Sequence, residues 1–157
     1  MKWFLIVVLI TLIMLIARAV SEQYKDKYIF YSNLKDFLNR FKLNLSFKQE
    51  TINDFLDKTK PQKHFKLFIE EYKRYLKESK MDFGSLKILS EEEKSQLENL
   101  VKSIGNMDVK NEICQIDSFL LEVDIQLKQA ELNKQKLCPM ILKLSLLFGI
   151  GLAILLI

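Results

Sequence analysis

The sequence predicts an all-α fold: an antiparallel helical bundle of four to six helices, anchored by an N-terminal and a C-terminal transmembrane helix. Three observations predict it. Apolar residues crowd the two ends of the 157-residue chain, filling 15 of the first 17 positions and 16 of the last 21. Every acidic residue lies between positions 18 and 136, with all but two of the basic ones. Within that polar middle, apolar residues recur at steps of three and four, the spacing of one helix face. The segments are residues 1–20 and 137–157 as transmembrane helices and 21–136 as a cytosolic helical bundle. The mean hydropathy of +0.03 averages two environments and describes neither.

Composition narrows the function classes. Four Gly and two Pro exclude collagen-like and Pro/Gly-rich linker chains. Two Cys make no disulfide framework. A middle of roughly 119 residues can bury a small core but not the layers of a two-domain enzyme. The net charge of +4 is too weak for a nucleic-acid footprint.

Residues 3–17 carry no charge and extend roughly 22 Å as a helix. That is slightly short of a bilayer core, and Lys2 and Arg18 extend it by snorkelling. Ala17-Arg18-Ala19 also has the small-x-small spacing of a signal-peptidase site, so a retained anchor and a cleaved leader both stand. The terminal run from Leu137, interrupted by Lys143, covers about 31 Å, enough to span, and nothing is expected beyond it. Gly149 and Gly151 fit a close helix contact, although they lie two apart rather than the four of GxxxG; ordinary transmembrane glycine content is the other reading. Arg18, Lys25 and Lys27 flank the first span on the bundle side, and Lys128, Lys134 and Lys136 flank the second. Both spans therefore place the middle in the cytoplasm by the positive-inside rule.

The first span is expected to continue as a helix, because Tyr24, Tyr28, Tyr31, Leu34, Leu38, Phe41 and Leu45 keep helical spacing; Ser21, Ser32 and Asn33 are its weak points. A short helix over 50–58 presents Ile52, Phe55 and Leu56 and ends before Pro61. A third over 63–79 presents Phe65, Phe68, Ile69, Tyr72, Tyr75 and Leu76. Residues 80–89 read as a loop. Ser90 with Glu93 is a capping box, and Leu89 is placed for a hydrophobic staple. The fourth helix, 91–104, turns Leu97, Leu100, Val101 and Ile104 inward. Gly105 ends it, and Asp108 caps the next. The fifth helix carries Val109, Ile113, Ile116, Phe119, Leu120, Val123, Leu127 and Ala130 on one face. Pro139 either kinks it or starts the span. From 109 to 157 the helix would run roughly 70 Å.

No catalytic constellation emerges. His64, the lone histidine, has no metal-ligand companion and reads as a polar residue at a helix start. Cys114 and Cys138 are too far apart on one helix to pair and read as buried small apolar side chains. Phosphate-binding loops and nucleophile elbows are missing. Glu91, Glu92 and Glu93 look like a first turn charged to suit the helix dipole. The aromatic-lysine run from Phe41 to Lys48 reads as core rather than as a nucleic-acid surface. No cofactor, metal, nucleic acid or small-molecule substrate is expected, and an enzyme is the weakest option. Homo-oligomerisation stays open.

One feature rises above this background: the turn Ile104-Gly105-Asn106-Met107-Asp108-Val109, followed by a long helix and a terminal span. Here the chain resembles the stage III sporulation protein AB family of endospore-forming bacteria. That family has an N-terminal span, a helical middle, an LG-x-[ST]-D turn, and a long helix with a small residue before an lG-x-l-x-G span. Gly105, Asp108, Ala130 and Gly151 match, Ile104 stands for the usual Leu, and Asn106-Met107 fills the next two positions. The sequence departs from the pattern in three places. Glu112 replaces the usual Gln, a PL before the second helix is missing near Lys48-Gln49-Glu50, and Leu142 or a neighbour replaces a Gly at the start of the terminal span.

The resemblance implies what composition does not. Such proteins are similar to the cytoplasmic domain of the inner-membrane platform protein of type II secretion and type IV pilus systems. They belong to an eight-protein set, made in the mother cell, that forms a channel or feeding complex across the membranes around the engulfed forespore. The implied role is a non-catalytic scaffold on the mother-cell side of the outer forespore membrane. It would dock a cytosolic ATPase and other channel subunits, with Gly105, Asp108, Ala130, Gly149 and Gly151 as structural or interface positions. The alternatives from other classes are a membrane-anchored helical adaptor or coiled-coil protein unrelated to sporulation, and an exported helical binding protein cleaved at Ala19.

Overall fold

The computed structural model describes the backbone of residues 2–48, 50–105 and 108–156 and the side chains of 7–47, 50–105 and 108–154. The roles expected of Lys2, Lys48, Gln49, Asn106 and Met107 fall outside the described side chains. Among the described residues there are five α-helices and no strand: α1 (Lys2–Leu43), α2 (Ile52–Lys58), α3 (Lys63–Glu78), α4 (Glu91–Ser103) and α5 (Val109–Leu156). A π-helical turn, Asn44–Lys48, follows α1, and a 3-10 turn, Phe83–Ser85, lies in the α3–α4 loop. α1 passes Ser21, Ser32 and Asn33 without a break, since tertiary packing outweighs their modest helix propensity. Likewise α5 continues through Pro139. The chain divides into two units, residues 1–28 with 128–157, and residues 29–127. Each long helix contributes a part to each unit.

In the 29–127 unit, α1 is buried on more than one side. Tyr31, Leu34, Leu38 and Phe41 of the expected stripe are buried, and so are Phe30 and Phe37 beside it. Phe37 meets the rings of Phe41, Phe55, Phe65 and Phe68 at centroid distances of 5.4–6.2 Å. Phe68 extends the cluster to Tyr72 and Phe83. Most of these rings meet tilted or edge-on, as their quadrupoles favour. α1 and α5 run antiparallel here: Lys35 pairs with Asp124 and, seven residues further along α1, Lys42 pairs with Asp117, seven residues earlier on α5.

Several inward expectations fail at helix ends. Leu76 is exposed, because the buried face of α3 stops at Tyr72 and the helix ends at Ser79 in the left-handed region. Val109 is 44% exposed: it is the first residue of α5, and the buried face begins at Glu112 and continues through Ile116 and Val123. Phe47 is 81% exposed rather than core, because the π turn carries it past the last packed turn of α1. Cys114, expected buried, is exposed; it lies between the buried positions 112 and 116 and so on the opposite side of α5. Leu89 is buried but makes no hydrophobic staple, since the fourth residue of α4 is Lys94.

The other unit is a pair of antiparallel helix segments. Gly149 faces Ile10, Ser145 reaches Met14, Cys138 reaches Ser21, and Lys134 lies over the ring of Tyr28. The partners advance on α1 in steps of four and seven, a spacing that keeps two helices face to face. Ala17, Ala130 and Cys138 are buried residues of this unit. By contrast, Val7, Leu15, Leu147, Phe148 and Ile154 are all more than 60% exposed. Only 11% of each apolar window is buried, unlike the mostly buried core helix of a soluble protein. Both are long and apolar enough to cross a membrane.

Candidate functional site

The α4–α5 turn is built by one glycine and one buried acid. Ile104 N–H donates to the Leu100 carbonyl at 3.2 Å and closes α4. Gly105 follows at φ +86°, a conformation that a Cβ disfavours. Nothing lies within 4 Å of the place where its Cβ would be, so backbone conformation rather than space calls for glycine. Gly105 N–H then donates to Glu112 Oε1 at 2.9 Å. Glu112 is 5% exposed and lies in the first turn of α5, where the helix dipole favours a carboxylate.

Asp108 immediately precedes α5. Its carbonyl accepts from Glu112 N–H at 3.0 Å, and its carboxylate accepts from the side-chain amide of Asn111. The sequence marked Gly105 and Asp108 but missed Glu112, which it read only as a departure from a family Gln. An acid in a first helical turn, seven residues after a helix-ending glycine, was the available signal.

Two more buried acids act in the same way. Glu93 accepts from Ser90 N–H at 2.8 Å, completing the capping box, and from Tyr31 Oη at 2.7 Å. Glu71 accepts from Asp82 N–H at 3.4 Å and pairs with Arg74 at 2.8 Å. Each carboxylate thus ties down a loop backbone donor. Tyr31 and Tyr72 carry phenols held far above the usual range. For Tyr31 burial is the main cause, followed by the hydrogen bond to Glu93 and its charge. For Tyr72 burial again leads, followed by the charge of Glu112. His64 sits at the start of α3, as expected. Among the described residues no group of three or more His, Cys, Asp or Glu is placed to hold a metal ion.

The remaining sequence-marked residues belong to the apolar unit. Ala130 is 3% exposed. Gly149 is buried, and a Cβ there would lie 3.5 Å from Ile10, in ordinary contact. Gly151 is exposed, with nothing near. Two residues turn a helix by roughly 200°, so the two glycines cannot share one face.

In the 29–127 unit, a groove of about 390 Å³ opens where α1 ends, lined by Arg40, Leu43, Asn44, Phe47, Phe55 and Thr59. Leu43 and Phe47 are exposed beside it. Asn44 Nδ2 donates to the Glu50 carbonyl at 3.2 Å and holds the chain at this edge.

A family model described as stage III sporulation protein AB matches residues 2–157. The chain belongs to that family, which gives it a role in sporulation. No curated protein matches it, and no solved structure does.

Proposed function

Starting from a sporulation protein with two helices able to cross a membrane, we propose that the chain is a non-catalytic platform subunit. In this reading it lies on the mother-cell side of the outer forespore membrane, with its central helices in the cytoplasm. It couples a cytosolic ATPase to the other subunits of a channel. The observation that supports this most is covalent continuity: α1 and α5 each pass unbroken from the helical unit into the apolar unit. The buried carboxylates fit the same reading, since all three serve as loop ties.

We put the partner contact at the groove beside Leu43 and Phe47, and the large apolar side chains exposed there support that choice. The test inserts a flexible Gly-Ser linker after Tyr28 and after Leu127, alongside Phe47→Asp, in sporulating cells. Under this reading the linkers abolish sporulation while the protein still accumulates and still co-purifies with the ATPase of its set. Phe47→Asp abolishes the co-purification. Full sporulation with both linkers in place would remove the coupling role and favour a simple adaptor.

A further inference from the structure

The apolar unit holds a second groove, of about 360 Å³, lined by α1 and Leu142 of α5. Its α1 residues are Thr11, Met14, Leu15, Arg18, Ser21 and Lys25, one stripe at steps of three and four. The stripe changes character along its length. Met14, Leu15 and Leu142 make an apolar floor, whereas Arg18 and Lys25 are cations on the rim. Both are exposed, and Arg18 pairs with Glu22 at 3.8 Å, a solvent-facing pair that binds weakly.

Between the cations lies Ser21, 3% exposed, whose hydroxyl has no hydrogen-bond partner among the described residues. Three other hydroxyls in these helices, those of Thr11, Ser118 and Ser145, bond back to a carbonyl of the preceding turn. Ser21 does not: the residue lines the groove, and its buried hydroxyl makes no hydrogen bond among the described residues.

We propose that this groove binds one anionic phospholipid of the surrounding membrane. Its phosphate lies between Arg18 and Lys25, its glycerol-ester region at Ser21, and an acyl chain along Met14, Leu15 and Leu142. The dimensions agree. Ser21 to Thr11 is about 15 Å along the helix, the depth of one hydrocarbon leaflet. A basic rim above an apolar floor between two spanning helices suits an anionic headgroup and its chain. A free phosphate would leave the apolar floor uncovered, and a neutral lipid would leave the cations unmatched.

The test uses the full chain in detergent, titrated with phosphatidylglycerol or phosphatidylcholine and read by native mass spectrometry. One phosphatidylglycerol per chain is retained, and phosphatidylcholine is not. Two cations at about fivefold each give roughly thirtyfold weaker phosphatidylglycerol binding in Arg18→Gln/Lys25→Gln. Ser21→Ala alone weakens it about fivefold, the loss of one hydrogen bond. Should the double variant fail to fold by circular dichroism, Ser21→Ala carries the test. Lys80→Gln, which removes a cation of the 29–127 unit, leaves binding unchanged. Equal retention of the two lipids, displacement by millimolar inorganic phosphate, or unaltered binding in folded variants would overturn the proposal.

Discussion

Tyr31 and Tyr72 are both buried, yet they should respond in opposite ways to loss of the hydroxyl. Tyr31 Oη donates to Glu93 at 2.7 Å. A hydrogen bond to a charged acceptor stabilises by about 1.5–3 kcal/mol. Glu93 keeps its bond to Ser90 N–H in Tyr31→Phe, so the cost falls at the lower end of that range. Tyr72 is fully buried, and its hydroxyl has no partner among the described residues. Burying an unpaired hydroxyl costs about 1–3 kcal/mol. Tyr72→Phe removes that cost and keeps the ring against Phe68, so it raises stability by about 1 kcal/mol or more.

The pH dependence has a definite sign. Both phenols are raised above their ordinary value near 10. As pH rises past about 10 the unfolded chain releases these protons and the folded chain keeps them. The folded state then binds more protons, so stability falls as pH rises, by up to about 1.4 kcal/mol per pH unit for each tyrosine. Below pH 10 the contribution is intact. Each Phe variant removes one tyrosine's share of the alkaline slope. Unfolding of the detergent-solubilised chain, followed by circular dichroism at pH 8 and 11, reads both effects. A Tyr72→Phe protein less stable than its parent, or a double variant with the parental alkaline slope, would refute the reasoning.

Three further outcomes follow from the packing. Phe37→Ala removes the ring that touches four others and should cost about 3–5 kcal/mol in the same unfolding measurement. Cys114 should react with a maleimide in the folded protein, whereas Cys138, 7% exposed and donating to the Ser21 carbonyl, should react only after denaturation; mass spectrometry separates the two. Gly149→Leu should part α1 from α5 at Ile10 and lower the melting temperature, while Gly151→Leu should leave it unchanged.

Helix number and order were legible because each helix carries a local signature: the Ser90–Glu93 box, Gly105 after Ile104, and steps of three and four through Phe65, Phe68 and Tyr72. What escaped depends on neighbours. Phe30 and Phe37 sit off the α1 stripe and become core because a ring cluster covers a second side of the helix. Leu76 and Val109 keep the right period but lie where the covering elements end, and Phe47 lies past the last packed turn of α1. Periodicity reports which way a side chain points, not whether anything lies there. The partner of Glu112 was hidden for the same reason, since its acceptor role depends on a turn seven residues back along the chain.

That turn can be sorted into structure or contact by a suppressor. If Gly105 serves only to close α4, Gly105→Ala acts through strain, because a Cβ at φ +86° costs about 1–2 kcal/mol. Sporulation should then fall in step with stability. Tyr72→Phe, which raises stability by about the same amount through an unrelated hydroxyl, should restore both in the double variant. Glu112→Gln should be nearly silent, since its amide oxygen still accepts from Gly105 N–H. The contact reading requires the opposite. An alanine methyl at Gly105 would meet open space and obstruct a partner directly, so sporulation would fail at normal stability. Tyr72→Phe would then rescue nothing. Spore counts and melting temperatures for the four variants decide between these readings, and rescue by Tyr72→Phe is expected, because every bond shown at the turn closes it on itself.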